Sequence, residues 1–259
     1  MSDTASTFDP NNISIVDDFE DGLFQSSRTD ASTFDSAVPR ESVGMAGDAI
    51  RGQYRPHWSI DAGDFSVGSR TDSSGASGSV LIPGTTDQTH IASTYAPVTA
   101  GLWAWSATFG DIDDSGEALI VDIMWDPAAD AGWRVVWADD LNFYLEKHHH
   151  EDGVSTEAVW EWKQSWNPTN EFERCRVRRF ADGRWYISID GQGRLDADST
   201  DPSDGFADGY LPPNPCQIRY GTIPVDGGSI RNEKWLDYIG HDASETIQTG
   251  ETYPWRDES

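Results

Sequence analysis

Apolar and polar residues alternate along much of the chain, most clearly in Glu171–Gly191, EFERCRVRRFADGRWYISIDG. On its first arm Cys175 and Val177 alternate with Arg174, Arg176 and Arg178. On its second arm Trp185, Ile187 and Ile189 alternate with Tyr186 and Ser188. A period of two predicts strands with one buried and one wet face. Asp182-Gly183 lies between the arms, and glycine tolerates the positive φ that tight hairpin turns need. The apolar sets of both arms fall on one side, so the segment reads as a hairpin.

The same reading predicts strands at Ile13–Phe19, Gln53–Ile60, Phe65–Val67, Ser79–Ile82 and His90–Ser93. Pro56 places the second of these at an edge. Ala100–Gly110 alternates, with Trp103, Trp105, Ala107 and Phe109 on one side. Ala118–Trp125, ALIVDIMW, is the most hydrophobic run and reads as a central strand. Trp133–Trp137, Leu141–Lys147, Val154–Lys163, Ile218–Ile223 and Trp235–Ile239 follow. Ser69–Gly78 and His148–Gly153 read as loops. No amphipathic helix and no repeat of 20–50 residues is visible.

Many short strands set off by turn signals predict an all-β fold, a sandwich or a barrel. The expected organisation is an N-terminal arm at 1–12, one β domain at 13–242 with long loops at 23–50 and 195–215, and an acidic tail at 243–259. A chain of 259 residues buries roughly three quarters of its unfolded surface.

Charge changes the picture more than length does. There are 45 Asp+Glu against 18 Lys+Arg, a net charge of −27, spread over the whole chain. Such a surface repels itself at low ionic strength, and molar salt, with a Debye length of about 3 Å, screens it. The expectation is a protein adapted to very high salt. No basic face offsets this field, so nucleic acid is not expected as a partner. No apolar run is long enough to cross a membrane as a helix, and the first residues lack a signal-peptide pattern. The expected location is a virion or the cell exterior reached without a cleavable signal, with the cytoplasm of a high-salt organism as the alternative. Cys175 and Cys216 are expected to be separate thiols, a bridge between them being the other reading.

The run Gly132–Gly191 resembles the core of the concanavalin A-like (LamG-like) lectin and glucanase jelly rolls. The likeness rests on Gly132-Trp133 leading into GWRVVWADDLNFYLEKH, a Trp-rich strand, the basic–apolar strand Arg174–Arg179, Gly183–Trp185, and Ile187–Gly191 ending in DG. Val16–Gly22 and Trp235–Gly240 resemble the first and last strands of such domains. The resemblance implies a jelly-roll sandwich of two antiparallel sheets, one concave and often bearing a glycan.

Sugars present apolar CH faces ringed by hydroxyls, which suit aromatic plates with polar neighbours. Twelve tryptophans exceed what a core needs, so some are expected to be exposed. Trp103, Trp105, Trp160, Trp162, Trp166 and Tyr144 are the glycan-binding candidates, with core packing as the competing role. Arg174, Arg176 and Arg178 with Tyr186 form a basic stripe, a contact for an acidic partner or a local charge balance. Glycosidases need two carboxylates flanking the scissile bond. Glu117-x4-Asp122 falls on opposite strand faces, and neither it nor Glu157-x3-Glu161 gives the E-x-D-x-E run in which the resembled glucanases agree, so no catalytic residue is expected. Asp111, Asp113, Ser115 and Asp122 follow the ligand spacing of a calcium loop. The resemblance adds a second Ca²⁺ candidate, Asp18, Glu20 and Asp237, where first and last strands meet. The three histidines His148–His150 are a weaker metal candidate.

The expected function is non-catalytic carbohydrate recognition or assembly. The partner would be a cell-surface glycan or glycoprotein, and the chain would form a homo-oligomer or part of a larger assembly. A turret, fibre or tail subunit on a virus of halophiles fits these expectations. The alternatives are a glycoside hydrolase of the same fold and a structural spacer.

Overall fold

A computed structural model describes residues 14–17, 19, 34–35, 53–54, 58–71, 75, 77–84, 88–108, 117–137, 142–151, 154–163, 173–181, 183–189, 192–193, 207–224 and 234–242. Apolar alternation here becomes two facing sheets. The seven-stranded sheet contains β4 (Trp58–Ala62), β7 (His90–Tyr95), β9 (Glu117–Asp126), β10 (Ala131–Trp137), β11 (Asn142–Glu151), β12 (Val154–Lys163) and β16 (Gln217–Pro224). Its spatial order is β12-β11-β10-β9-β16-β7-β4.

The ten-stranded sheet holds β1 (Ser14–Asp17), β2 (Phe34–Asp35), β3 (Gln53–Tyr54), β5 (Phe65–Thr71), β6 (Ser77–Pro83) and β8 (Gly101–Ala107). It is completed by β13 (Glu173–Arg179), β14 (Trp185–Ile189), β15 (Gln192–Gly193) and β17 (Leu236–Asp242). Its main path runs β15-β14-β13-β8-β17-β1-β3-β2, and β6 joins β17 and carries β5. All pairings are antiparallel except β1 with β3. Strands distant in sequence sit side by side: β8 lies between β13 and β17, and β9 between β10 and β16. This wrapping of two largely antiparallel sheets is the jelly-roll sandwich that the resemblance implied. No helix occurs among the described residues, and none there could cross a membrane.

The core lies between the sheets. Trp103, Trp105, Cys175, Val177, Trp185 and Ile187 from one side meet Val121, Ile123, Trp133, Val135, Phe143 and Leu145 from the other. Trp133 and Trp185 touch across the gap with ring centroids 4.5 Å apart. Each large apolar side chain fully buried here contributes about 1.5–3 kcal/mol.

The predicted hairpin is β13–β14. Cys175 pairs with Ile189 and Val177 with Ile187, and Gly183 turns with φ 87°. Asp182 lies outside the described residues. Two predicted loops are partly strand. Ser69–Thr71 and Ser77–Gly78 continue the β5–β6 ladder, where Thr71 pairs with Ser77, and β11 runs through the histidines to Glu151. Ladder bonds are made by the backbone, so polar side chains do not prevent them. Cys175 and Cys216 are separate thiols, with no bridge between them.

Candidate functional site

The outward face of the seven-stranded sheet carries a side-chain cluster built on its central strand. On β9, Leu119, Val121 and Ile123 face the core, which sends Ala118, Ile120 and Asp122 outward. Register then sets the neighbours. Arg134 of β10 and Arg219 of β16 are the cross-strand partners of Asp122, with Glu146 of β11 beyond Arg134 and Ser93 of β7 beyond Arg219.

Asp122 is completely buried, and a lone buried carboxylate is costly. Two guanidiniums offset that cost. Arg134 donates from Nε to Oδ1 at 2.7 Å and from a terminal nitrogen to Oδ2 at 3.1 Å. Arg219 donates from Nε to Oδ2 at 2.7 Å. Burial pushes the Asp122 pKa up, but the charges and hydrogen bonds of the two arginines outweigh it and hold the pKa below the ordinary value. The reciprocal holds for Arg134: burial lowers its pKa, and Asp122 brings it above the ordinary value. The carboxylate is therefore fixed as an ionised acceptor.

Trp125 roofs this triad. Strict alternation would turn it inward, on the side of Val121 and Ile123. A bulge between β9 and β10 prevents that, with Met124 at φ 53°. Both Ile123 and Met124 thereby enter the core, and Trp125 emerges outward. The Arg219 guanidinium lies 3.7 Å from the centre of its ring and that of Arg134 5.3 Å. His148 packs on it at 5.3 Å and pairs with Glu146 at 3.0 Å. Gly132 makes room: a Cβ there would meet the indole at 2.7 Å.

The next row along the sheet is Tyr95–Gln217–Trp125, consecutive cross-strand partners on β7, β16 and β9. Tyr95 is 58% exposed, the most exposed large apolar or aromatic side chain among the described residues. Gln217 Oε1 and Trp125 Nε1 are buried and lack hydrogen-bond partners. Tyr144, half-buried, sits further along this face beside Ala118, Ile120 and Val136.

Several sequence-based candidates lie elsewhere. Trp103 and Trp105 are each 1% exposed, because β8 is interior to its sheet and turns both into the core. They are not a platform. No described tryptophan is exposed: Trp58, Trp103, Trp105, Trp125, Trp133, Trp137 and Trp185 are buried and Trp235 half-buried. The space between the two sheets takes six of them, Trp58, Trp103, Trp105, Trp133, Trp137 and Trp185. Trp160 and Trp162 lie on β12 opposite Leu145 and Phe143, with side chains outside the description, and Trp166 is outside it altogether.

The basic stripe is not wet. Arg176 is 7% and Arg178 5% exposed, and Tyr186 is buried with them. Arg178 leans on Phe180 at 5.6 Å, so this face is a covered surface and not an open contact. The side chain of Arg174 is outside the description. The calcium loop loses Asp122 to its two arginines; Asp111, Asp113 and Ser115 are outside the described residues. Asp18 and Glu20 are outside too, and of Asp237 only the backbone, in β17, is described. No group of three acidic, histidine or cysteine side chains converges among the described residues. Successive residues of β11 point to opposite sides, which parts His148 on Trp125 from His149 on Tyr210.

Sequence reasoning missed Tyr95, Trp125, Arg134, Gln217 and Arg219. One signal was available for the triad. Asp122 interrupts the most hydrophobic run in the chain, and a charge inside a central strand must be paired.

No family model matches the chain, and no curated protein does. Among solved structures the chain is similar to the carbohydrate-binding module CBM66 from Bacillus subtilis, with TM-score 0.43 and 14% identity over 71% of this chain and 92% of that one. It is similar to a Bacteroides ovatus GH16 of a mixed linkage glucan PUL, with TM-score 0.46 and 11% identity over 70% and 93%. It is also similar to a Bacillus licheniformis β-glucanase, with TM-score 0.47 and 10% identity over 71% and 91%. At such identities these likenesses assign no activity.

Proposed function

We propose that this chain is a non-catalytic carbohydrate-recognition module and that the outward face of its seven-stranded sheet is the recognition surface. The observation that carries the reading is exposed Tyr95, a stacking ring that shares one cross-strand row with Gln217 and Trp125. Asp122 supports the non-catalytic half. It is locked by two guanidiniums below the ordinary carboxylate pKa, so it is a poor proton donor. Glu146 is engaged by His148. A glycan array probed with the chain at molar salt tests the reading: signal on a defined set of glycans is expected, and none on any glycan would sink it. Release of reducing ends from a bound polysaccharide would overturn the non-catalytic half.

The wider setting we propose is a virion surface subunit working at high salt, with cell-surface glycan as partner. The charge of −27 supports it. Thermal stability should rise from low to molar NaCl, and sedimentation at molar salt should show an assembly. A strictly monomeric chain, most stable at low salt, would reject this setting.

A further inference from the structure

We propose that the crossover between β4 and β5 is a pH-operated latch: neutral His90 holds the Asp64 amide, and protonated His90 releases it and takes the Asp64 carboxylate instead. The chain passes here from the seven-stranded to the ten-stranded sheet through Gly63 and Asp64 alone, with Gly63 at φ 66°. His90, the first residue of β7, is completely buried against this crossover. Its Nδ1 accepts from the Asp64 backbone N–H at 3.0 Å. The same nitrogen lies 3.1 Å from the Asp64 carbonyl oxygen and 3.5 Å from its carboxylate. That carbonyl also accepts from the Gly84 N–H at 2.8 Å, which ties the crossover to the end of β6.

A ring nitrogen accepts only while it carries no proton, so the imidazole held in this way is neutral with its N–H on Nε2. Protonation puts a second N–H on Nδ1, aimed at the amide N–H, and two donors cannot bond. The acceptors within reach are the carbonyl and carboxylate of Asp64. The carboxylate is able to close on the ring, because the Asp64 side chain is 77% exposed and gives up little packing by turning. The cleft fits both groups. A Cβ at Gly63 would overlap the imidazole, and one at Gly84 would overlap the imidazole and the Asp64 carboxylate together. Of the other elements at the ring, β5 presents Phe65 edge-on at 6.1 Å, and β16 lies against the strand with Gly221 and Thr222. On β4, Asp61 is engaged by the Ser93 hydroxyl at 3.0 Å. Among the described residues β4 pairs with β7 alone, and β7 carries Tyr95. Opening the latch therefore loosens the edge of the sheet that bears the proposed recognition row, whatever that row binds.

Nuclear magnetic resonance of the full chain at molar salt tests this, followed from pH 8 to pH 5, the range over which histidines change charge. The Asp64 amide resonance is expected to move together with the His90 ring signals. Its protection against hydrogen exchange, corrected for the intrinsic effect of pH, should fall about tenfold, the loss of one hydrogen bond. The Asp64 carboxyl carbon should shift over the same range, above the pH at which carboxylates themselves titrate. His90→Asn places an oxygen near the position of Nδ1, accepts from the same amide and does not titrate, so it should keep the amide protected throughout. Amide and carboxyl signals that move only below pH 5, with the carboxylate's own protonation, would overturn the latch. An equal loss of protection in His90→Asn would overturn it as well, and if that variant does not fold, the wild-type titration alone decides.

Discussion

Arginines point outward from both sheets of the sandwich, and the two sets are held differently. On the seven-stranded sheet, Arg134 and Arg219 close on one buried carboxylate, Asp122, in short charge-assisted hydrogen bonds. On the ten-stranded sheet, Arg176 and Arg178 are covered, with Arg178 against the ring of Phe180. The second set is contiguous in sequence and looks like a contact surface. The first is scattered over three strands, with Asp122 and Arg219 97 residues apart. The conspicuous cluster is thus packed away, and the dispersed one stands beside the exposed ring of Tyr95. Proximity in sequence measures local pattern, whereas proximity across a jelly roll depends on strand order.

The comparison breaks most sharply at Asp122. Asp122→Asn keeps the shape and removes the charge, leaving two guanidiniums short of their counter-ion. Removing one partner of such a buried network costs about 3–5 kcal/mol. Urea denaturation should show that loss. A loss below that of a change in the Arg176–Arg178 set would refute the central place given to the triad.

Acid sharpens the same point. The folded-state pKa of Asp122 is depressed, so its contribution is complete above the ordinary carboxylate value of about 3.9 and is lost as pH falls through the folded pKa. The stability gap between wild type and Asp122→Asn should accordingly be constant near neutrality and shrink on acidification. A gap independent of pH down to acid unfolding would mean that the carboxylate is not held ionised.

The hairpin β13–β14 was legible from period-two alternation and β9 from its continuous apolar run, whereas the pattern left a sandwich or a barrel open and the two sheets came only with the resemblance. The outward placement of Trp125 was not. It depends on a bulge, where one residue, Met124, takes a positive φ that no side-chain pattern announces. The partners of Asp122 were illegible for another reason: β16 reaches β9 only through the order of strands in the sheet. Trp103 and Trp105 were read onto one face correctly, but alternation cannot say whether that face meets water or a second sheet. The same ambiguity misplaced Arg176 and Arg178, whose outward face is covered.

A smaller effect is expected at Gly132. A methyl there would meet the Trp125 ring at 2.7 Å and the Met124 carbonyl oxygen at 3.0 Å. Gly132→Ala should cost about 1–3 kcal/mol and displace the indole from the arginines. Thermal unfolding reads the first effect. Weaker retardation in a glycan-containing gel reads the second. Lower stability with intact binding would separate Trp125 from recognition.

Arg178→Leu is the counterpart on the other sheet and the mildest change. Its guanidinium stacks on Phe180 at 5.6 Å, an interaction of about 0.5–2 kcal/mol. The leucine retains apolar cover over that ring, so the share of the loss that comes from this contact should stay near the lower end. Glycan binding should not change, because β13 belongs to the opposite sheet from Tyr95, Gln217 and Trp125. The two readouts together decide between the sets. If Arg178→Leu abolished binding while sparing stability, the contiguous arginines would be the contact surface after all, and the triad on β9 would be a structural brace.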